Sequence, residues 1–160
     1  MYRIGPGDVL EITVWKEDQL TRSELLVRPD GRISLPLVDD VQAAGLTPME
    51  LKQSVTNALK RYLEAPQVFV EVKKPESQFF CVLGNVNKPG RYEMLTSINV
   101  LQALSMAEGF NQWAKKDDIV ILRSSKKGQQ RLRFEYYEVI EGNKLSQNII
   151  LKPGDVVVVP

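Results

Sequence analysis

The chain has 160 residues, 43% of them hydrophobic and 26% charged, with a net charge of +1, which is typical of a soluble globular protein with one or two domains. The near-neutral charge gives no indication of nucleic-acid binding, and no apolar run approaches the ~18 residues of a membrane-spanning helix. Histidine is absent and Cys81 is the single cysteine, which excludes Ser-His-Asp and Cys-His catalysis, histidine- or cysteine-only metal sites and an internal disulfide.

A turn followed at once by a strand opens the chain. Gly5-Pro6-Gly7-Asp8 has the composition of a tight turn, and Leu10, Ile12 and Val14 then alternate with polar residues, as in a half-buried strand. The same device recurs at the far end, where Pro153-Gly154-Asp155 precedes the strand 156–159. We expect each turn aspartate to accept hydrogen bonds from the backbone of its own turn.

The next segment predicts a hairpin, a short strand and one helix. Apolar runs at 25–28 and 32–36 flank Pro29-Asp30-Gly31, which favours a hairpin, and residues 41–44 suggest a short strand that ends at Gly45. Thr47, Pro48 and Glu50 form a capping-box start, and apolar residues then recur at helical spacing until Pro66. Residues 67–73 alternate as a further strand.

Residues 74–77 are polar, contain Pro75 and lie between two strand patterns, so they predict a domain boundary. The second half reads as strand 79–86, turn 87–90, return strand 91–93 and a helix that begins at Ser97 or Asn99 and has Gly109 as its C′ residue. Strands over 118–123 and 132–136, a short helix 137–141 and the last strand follow. The fold class is therefore α+β, and the order hairpin, helix, strands favours a β-grasp for the second half.

No catalytic constellation stands out among the charged residues. The acidic pairs Glu17-Asp18, Asp39-Asp40 and Asp117-Asp118 consist of neighbours, which point to opposite faces of a strand and are poorly placed to flank one bond. We interpret them as loop or cap residues. Turn aspartates at this spacing do not form a calcium loop, so we expect no metal and no cofactor.

Basic residues gather in the second half. They are either solvated hairpin residues or a surface for an anionic partner such as an acidic sugar polymer. This set comprises Lys115, Lys116, Arg123, Lys126, Lys127, Arg131 and Arg133. Aromatic residues of the same half either stack on sugar rings or belong to the core. They are Phe79, Phe80, Tyr92, Phe110, Trp113, Tyr136 and Tyr137.

Two long stretches carry a family resemblance. YRIGPGDVLEITVW, VRPDGRISLPLVDDVQAAGLTPMEL and APQVFVEV resemble the polysaccharide export domain of Wza-type outer-membrane export proteins. FFCVLGNVNKPGRYEM, NVLQALSMAEGF, IVILR and ILKPGDVVVVP resemble the soluble-ligand-binding β-grasp domain that follows it. The resemblance implies an α/β sandwich export domain at residues 1–74 and a β-grasp domain at residues 78–160.

The resemblance also implies a function and a set of shared structural residues. It implies a non-enzymatic, ring-forming periplasmic component of a capsule or exopolysaccharide conduit, at the outer membrane of a Gram-negative bacterium. Its partners would be the polysaccharide, further copies of itself and an inner-membrane co-polymerase, with no nucleic acid. The positions that match the family's turns, caps and close approaches are Gly7, Asp8, Asp30, Gly31, Pro36, Gly45, Pro66, Gly84, Pro89, Gly90, Gly109, Pro153, Gly154 and Asp155.

The chain departs from the family pattern at several points. The family usually has glycine where Asp39 stands, and often two glycines where this chain has Glu108-Gly109. The lipoprotein cysteine expected before the domain, a second β-grasp domain and a C-terminal membrane helix have no counterpart in these residues. We therefore expect a short family member or an excised periplasmic fragment, whose membrane contact comes only through a missing lipid anchor or a separate pore protein.

Two other functions are compatible with the residues. A stand-alone periplasmic module that captures a glycan or a small ligand is the main alternative, because a fold does not fix a function. A carboxylate-based glycan-processing enzyme is the other, and the absent histidines and poorly placed acids speak against it. We expect no enzyme.

Overall fold

The computed structural model describes all residues from 1 to 160, and the chain divides into two compact units, Met1–Ser77 and Gln78–Pro160. Both units combine strands with helices, so the α+β class is confirmed. No helix is long and apolar enough to cross a membrane.

The first unit contains five strands and one helix. The strands are β1 (Val9–Val14), β2 (Arg22–Leu26), β3 (Arg32–Leu35), β4 (Asp39–Gln42) and β5 (Val68–Lys74), and the helix is α1 (Pro48–Leu59). β1 is the centre of an antiparallel sheet with the order β2-β1-β5, while β3 and β4 form a separate two-stranded ribbon. Alternate residues of β1 are fully buried and pack with apolar residues of the ribbon and of α1.

The N-terminus of α1 follows from its local sequence. The Thr47 side chain accepts a hydrogen bond from the backbone N–H of Glu50, and the Glu50 carboxylate accepts one from the N–H of Thr47. This reciprocal pair satisfies two N–H groups that the helix itself leaves unpaired. Leu51, Val55 and Leu59 recur at helical spacing and are buried, so the helix lies with one face on the core.

The predicted hairpin around Pro29-Asp30-Gly31 is wrong. The turn forms, since the N–H of Gly31 donates to the carbonyl of Arg28, but the chain leaves one sheet and enters another there. β2 pairs with β1 and β3 pairs with β4, so the strands on either side of the turn are not partners. Strand β4 also begins earlier than predicted, at Asp39, which places the acidic pair Asp39-Asp40 in a strand and not in a loop.

The second unit contains five strands and three short helical segments. They are β6 (Phe79–Gly84), β7 (Gly90–Glu93), α2 (Val100–Met106), β8 (Ile119–Ser125), β9 (Gly128–Phe134), α3 (Tyr136–Ile140), a 3₁₀ turn (Leu145–Gln147) and β10 (Val156–Val159). The sheet order is β7-β6-β10-β8-β9, with β10 parallel to β6 and the other pairs antiparallel. Hairpin, helix and further strands follow one another in the order that the sequence predicts for a β-grasp.

One face of this sheet forms the core with α2. Ile119, Ile121 and Phe134 from β8 and β9 are fully buried against residues of α2. Since side chains alternate across a strand, the residues between them point to the opposite face. That second face carries Val120 and Leu122 of β8, which lie opposite Arg133 and Arg131 of β9.

The predicted helix end at Gly109 is shifted by one residue. Asn99 is the N-cap of α2, as one of the two sequence alternatives proposed, and Ala107 is the C-cap. Glu108 therefore occupies C′ with φ of +61°, and the N–H of Gly109 bonds to the carbonyl of Leu104. This hydrogen-bond pattern is a Schellman motif, in which the left-handed residue is usually glycine.

Candidate functional site

The first Pro-Gly-Asp turn is built around the buried carboxylate of Asp8. Gly7 has φ of +92°, and the N–H of Asp8 donates to the carbonyl of Gly5, which closes the turn. One Asp8 oxygen accepts from the Gly5 N–H at 2.9 Å and from the Tyr2 hydroxyl at 2.5 Å, and the other accepts from the Ser77 N–H at 2.7 Å. Asp8 thereby links the N-terminal end of the first unit, at Tyr2, and its C-terminal end, at Ser77, to the start of β1.

Tyr2 has an altered pKa in this cluster. Burial raises the pKa of its hydroxyl well above the ordinary value, and the hydrogen bond to Asp8 and the carboxylate charge raise it further. The phenol therefore remains a proton donor to Asp8 throughout the neutral and mildly alkaline range.

The second Pro-Gly-Asp turn has the same backbone but a different partner. Gly154 has φ of +87°, and the Asp155 carboxylate accepts from the Lys152 N–H at 2.8 Å, as Asp8 does from Gly5. Asp155 is 1% exposed and pairs with Arg123 of β8, whose Nη2 lies 2.7 Å from its Oδ2. Hydrogen bonding to Asp155 raises the pKa of Arg123. Both aspartates thus bond to their own turn backbones, as expected from the sequence.

The other motif positions are spread over both units and do not converge on one place. Asp30 accepts from the Arg32 N–H at 3.0 Å, and Gly31 has φ of +79° and lies so close to Ala44 that an added Cβ would be 2.8 Å from the Ala44 Cβ. Gly84 approaches β10 so closely that a Cβ would lie 2.0 Å from the carbonyl oxygen of Val159. The remaining positions are Pro36, Gly45, Pro66, Pro89, Gly90 and Gly109, and they lie in loops or at element ends. That all these positions are shared structural residues of a family stays a prediction.

An exposed ion cluster joins the Asp30 turn to the β3–β4 ribbon. The Arg28 guanidinium bonds to Asp30 at 2.8 Å and to Asp40 at 2.9 Å, and Ser34 also donates to Asp40. Hydrogen bonding to Arg28 lowers the pKa of both carboxyls. Asp40 is therefore occupied in an internal contact, which the sequence pattern did not indicate.

The structure divides the basic residues of the second half into distinct roles. Arg123 neutralises Asp155, and the ammonium of Lys116 lies 5.3 Å from the centre of the Phe110 ring and within 6 Å of two tyrosine rings. Lys126 and Lys127 lie exposed at the β8–β9 turn. Arg123 is thus neutralised within the chain, while Lys116 keeps its charge and lies beside three aromatic rings.

The three other cations surround one depression on the outer face of the sheet, which we call the basic concavity. Its volume is about 470 Å³, and it is lined by Lys115, Asp118, Val120, Arg131, Arg133 and Pro160. Val120, 8% exposed, forms an apolar part of this lining beside the charges. The lining has three cationic side chains and one acidic side chain, so its side chains carry a net positive charge.

One of these cations has an ion-pair partner. Arg133 bonds to Glu135 at 3.1 Å, and Glu135 also accepts hydrogen bonds from Lys144 and Gln147. The hydrogen bond from Lys144 is the main cause that lowers the pKa of Glu135. Lys115 is held through its main chain, whose N–H donates to the Pro160 carbonyl at 2.7 Å.

The aromatic residues separate in the same way. Phe80 is fully buried and stacks on Tyr92, with ring centres 5.5 Å apart, so this pair belongs to the core. Trp113 is 70% exposed and precedes Lys115 by two residues. No group of three or more cysteine and acidic side chains lies close enough together to hold a metal ion.

Comparison with known proteins identifies both parts of the chain. The family model for polysaccharide biosynthesis/export proteins matches residues 1–73, and the model for the SLBB domain matches residues 78–159. The EPS I polysaccharide export outer membrane protein EpsA of Ralstonia nicotianae is 26% identical, over 98% of this chain and 46% of its own length. The polysialic acid transport protein KpsD of Escherichia coli is 28% identical, over 99% of this chain and 28% of its own.

A third relative has a similar name and a similar coverage. The capsule polysaccharide export outer membrane protein CtrA of Neisseria meningitidis serogroup A is 25% identical, over 94% of this chain and 42% of its own length. The chain thus spans less than half the length of each of these curated relatives. With a polysaccharide export domain followed by an SLBB domain, the chain belongs to the polysaccharide export protein family.

Proposed function

We propose that this chain is the periplasmic part of a conduit that passes capsular polysaccharide or exopolysaccharide across the periplasm and outer membrane of a Gram-negative bacterium. The observation that carries the proposal is the consecutive match of two family models over nearly the whole chain. The relatives' names, which specify polysaccharide export, capsule export and polysialic acid transport, support the same role.

The role requires no chemical step from the protein. The two buried aspartates of the chain are occupied, Asp8 by backbone and tyrosine donors and Asp155 by Arg123. An acid that is saturated with internal donors is poorly suited to activate water or to protonate a leaving group. We propose that the protein positions and guides polymer without cleaving or forming a glycosidic bond.

The proposed assembly is a ring of identical subunits that also contacts an inner-membrane co-polymerase. Heterologous contacts close into a ring when the rotation between subunits divides the circle. Exposed charges would set the register of such contacts more than their strength, since an exposed ion pair contributes only ~0–1 kcal/mol. The units of 1–77 and 78–160 are proposed as the domains that make these contacts.

Cysteine crosslinking of the full-length protein in native membranes tests the ring. Cysteines are placed in pairs at exposed positions of the first and second units, in a Cys81→Ser background that removes the single thiol of residues 1–160. A ring predicts crosslinks between different residues of neighbouring subunits and a ladder of oligomers. Crosslinks formed only between identical residues, with dimers as the largest product, would indicate a two-fold dimer and refute the ring.

A further inference from the structure

Two of the three cations of the basic concavity have no ion-pair partner within the chain. Lys115 and Arg131 make no side-chain hydrogen bond or ion pair within the chain, and Asp118 is the single acidic side chain in the lining. Like charges gathered at one depression repel one another, so their arrangement favours any anion that enters. Because the concavity lies on the sheet face away from α2, this charge does not stabilise the core.

The cations are presented on a rigid frame. Arg131 and Arg133 are alternate residues of β9, so both point to the outer face, about 7 Å apart along the strand. The Arg133 guanidinium pairs with Glu135, and the main chain of Lys115 is held by its hydrogen bond to Pro160. Val120, which lies opposite Arg133, is 8% exposed and adds a small apolar area to the lining. The backbone of the site is therefore ordered, while the side chains of Lys115 and Arg131 lose rotamer freedom when a ligand binds.

The chemistry of the lining selects a ligand class. A guanidinium binds a carboxylate through two parallel N–H donors, and an ammonium adds a third charge-assisted hydrogen bond. A ligand with repeated carboxylates supplies a separate anionic group for each such cation. A volume of about 470 Å³ lies in the range of small-molecule sites, and the small exposed area of Val120 is an apolar contact for a C–H group of a sugar ring.

We propose that the basic concavity binds the carboxylate groups of an acidic glycan, with Arg131 and Lys115 as the ligand-contacting cations and Arg133 as their ion-paired neighbour. The proposal rests on the proposed function in one respect: the export role explains how an acidic glycan would reach the protein. β9 is an edge strand, so the β9 strand of a second copy could in principle pair with it. Antiparallel pairing of the two strands would place the arginines of one copy near those of the other, and the repulsion between them disfavours this occupant.

Binding of tetragalacturonate to the 160-residue chain, measured by NMR titration at low and high salt, tests the proposal. We expect saturable shifts of amides around Lys115, Val120 and Arg131, weakened by salt. Arg131→Gln and Lys115→Gln should each raise the Kd about tenfold, as expected for loss of one charge-assisted contact. Lys126→Gln, at the β8–β9 turn, removes the same charge and should leave the Kd unchanged.

Several results would overturn the proposal. They are no saturable binding, an equal loss of affinity in Lys126→Gln, or equal binding of the methyl-esterified tetragalacturonate, which has the same backbone without the charges. Tighter binding of a hexaglutamate peptide would assign the concavity to an acidic protein segment and not to a glycan. An unchanged amide spectrum of each free variant shows that the fold is intact.

The same variants separate this proposal from the proposed function. If the full-length Arg131→Gln/Lys115→Gln variant delivers acidic polymer to the cell surface at the wild-type rate while deletion of the gene abolishes delivery, the export role stands and the binding site is refuted. If deletion itself leaves delivery unchanged, the proposed function fails, whatever the result of the titration.

Discussion

Replacing Glu108 by glycine should stabilise the second unit. Glu108 has φ of +61° at the C′ position of α2, and its side chain makes no hydrogen bond or ion pair. A left-handed conformation costs a residue with a Cβ roughly 1–2 kcal/mol. Glycine removes that cost, but it also makes the unfolded chain more flexible, which lowers the free energy of unfolding by about 0.4–1 kcal/mol. The net increase in the free energy of unfolding is therefore ~0.5–1 kcal/mol. The melting temperature of a unit of this size should rise by roughly 2–8 °C.

Two control variants separate backbone strain from side-chain chemistry. Glu108→Ala removes the charge but retains Cβ, so the free energy of unfolding should stay close to that of the wild type. Gly109→Ala should cost about 1 kcal/mol, because φ is +76° there while no atom lies within 4 Å of the added carbon. Its cost is therefore one of backbone conformation alone.

Scanning calorimetry gives the melting temperatures, and hydrogen exchange of amides in residues 78–160 assigns each change to the second unit. A decrease in stability for Glu108→Gly would refute the reasoning. So would an increase in Glu108→Ala as large as that in Glu108→Gly, because the charge and not the backbone would then be responsible.

Three further predictions concern the buried contacts. Tyr2→Phe should cost ~1 kcal/mol through the lost hydrogen bond to Asp8, and it should also abolish an alkaline decline in stability. Because the folded pKa of Tyr2 is raised, this contribution to stability is complete below the unfolded pKa of ~10 and is lost as the pH rises toward the folded pKa. Absorbance at 295 nm should therefore show, in the folded wild type, a tyrosine ionisation above pH ~10 that Tyr2→Phe removes. Arg123→Met should cost ~3 kcal/mol in urea unfolding because it leaves Asp155 buried without its cation, and adding Asp155→Asn should restore part of this loss; no restoration would show that Arg123 acts by packing alone. Gly84→Ala should cost at least ~2 kcal/mol or prevent folding of the second unit, because the added carbon would lie 2.0 Å from a carbonyl oxygen of β10, and a wild-type melting curve would contradict this geometry.

Features set by neighbouring residues could be predicted from the sequence, and those set by distant partners could not. The capping box at Thr47 and Glu50 spans one helical turn, and the Pro-Gly-Asp turns bond within four residues, so composition and spacing were sufficient. The strands beside Pro29-Asp30-Gly31 were paired wrongly because the turn composition does not determine which sheet each strand joins. The chain reverses at the turn, while strand pairing depends on burial elsewhere.

The basic concavity illustrates the same limit. The sequence indicated a group of seven cations, but it could not show which of them have partners within the chain and which line the concavity. Arg123 pairs with Asp155, which is 32 residues away in the sequence, and the Lys116 ammonium lies beside aromatic rings. The cations that remain on the outer face are Lys115, Arg131 and Arg133. The alternation of β9 would have placed the two arginines on one face, but Lys115 joins them only through the fold of the α2–β8 loop.

The most direct test of the export role follows newly made polymer after rapid depletion of the full-length protein. Cells are given a pulse of labelled sugar, and labelled polymer is measured at the surface, in the periplasm and in the cytoplasm over successive minutes. If the protein is part of the conduit, surface polymer should stop increasing while synthesis continues and polymer accumulates inside the outer membrane. Unchanged delivery to the surface after complete depletion would contradict the export role.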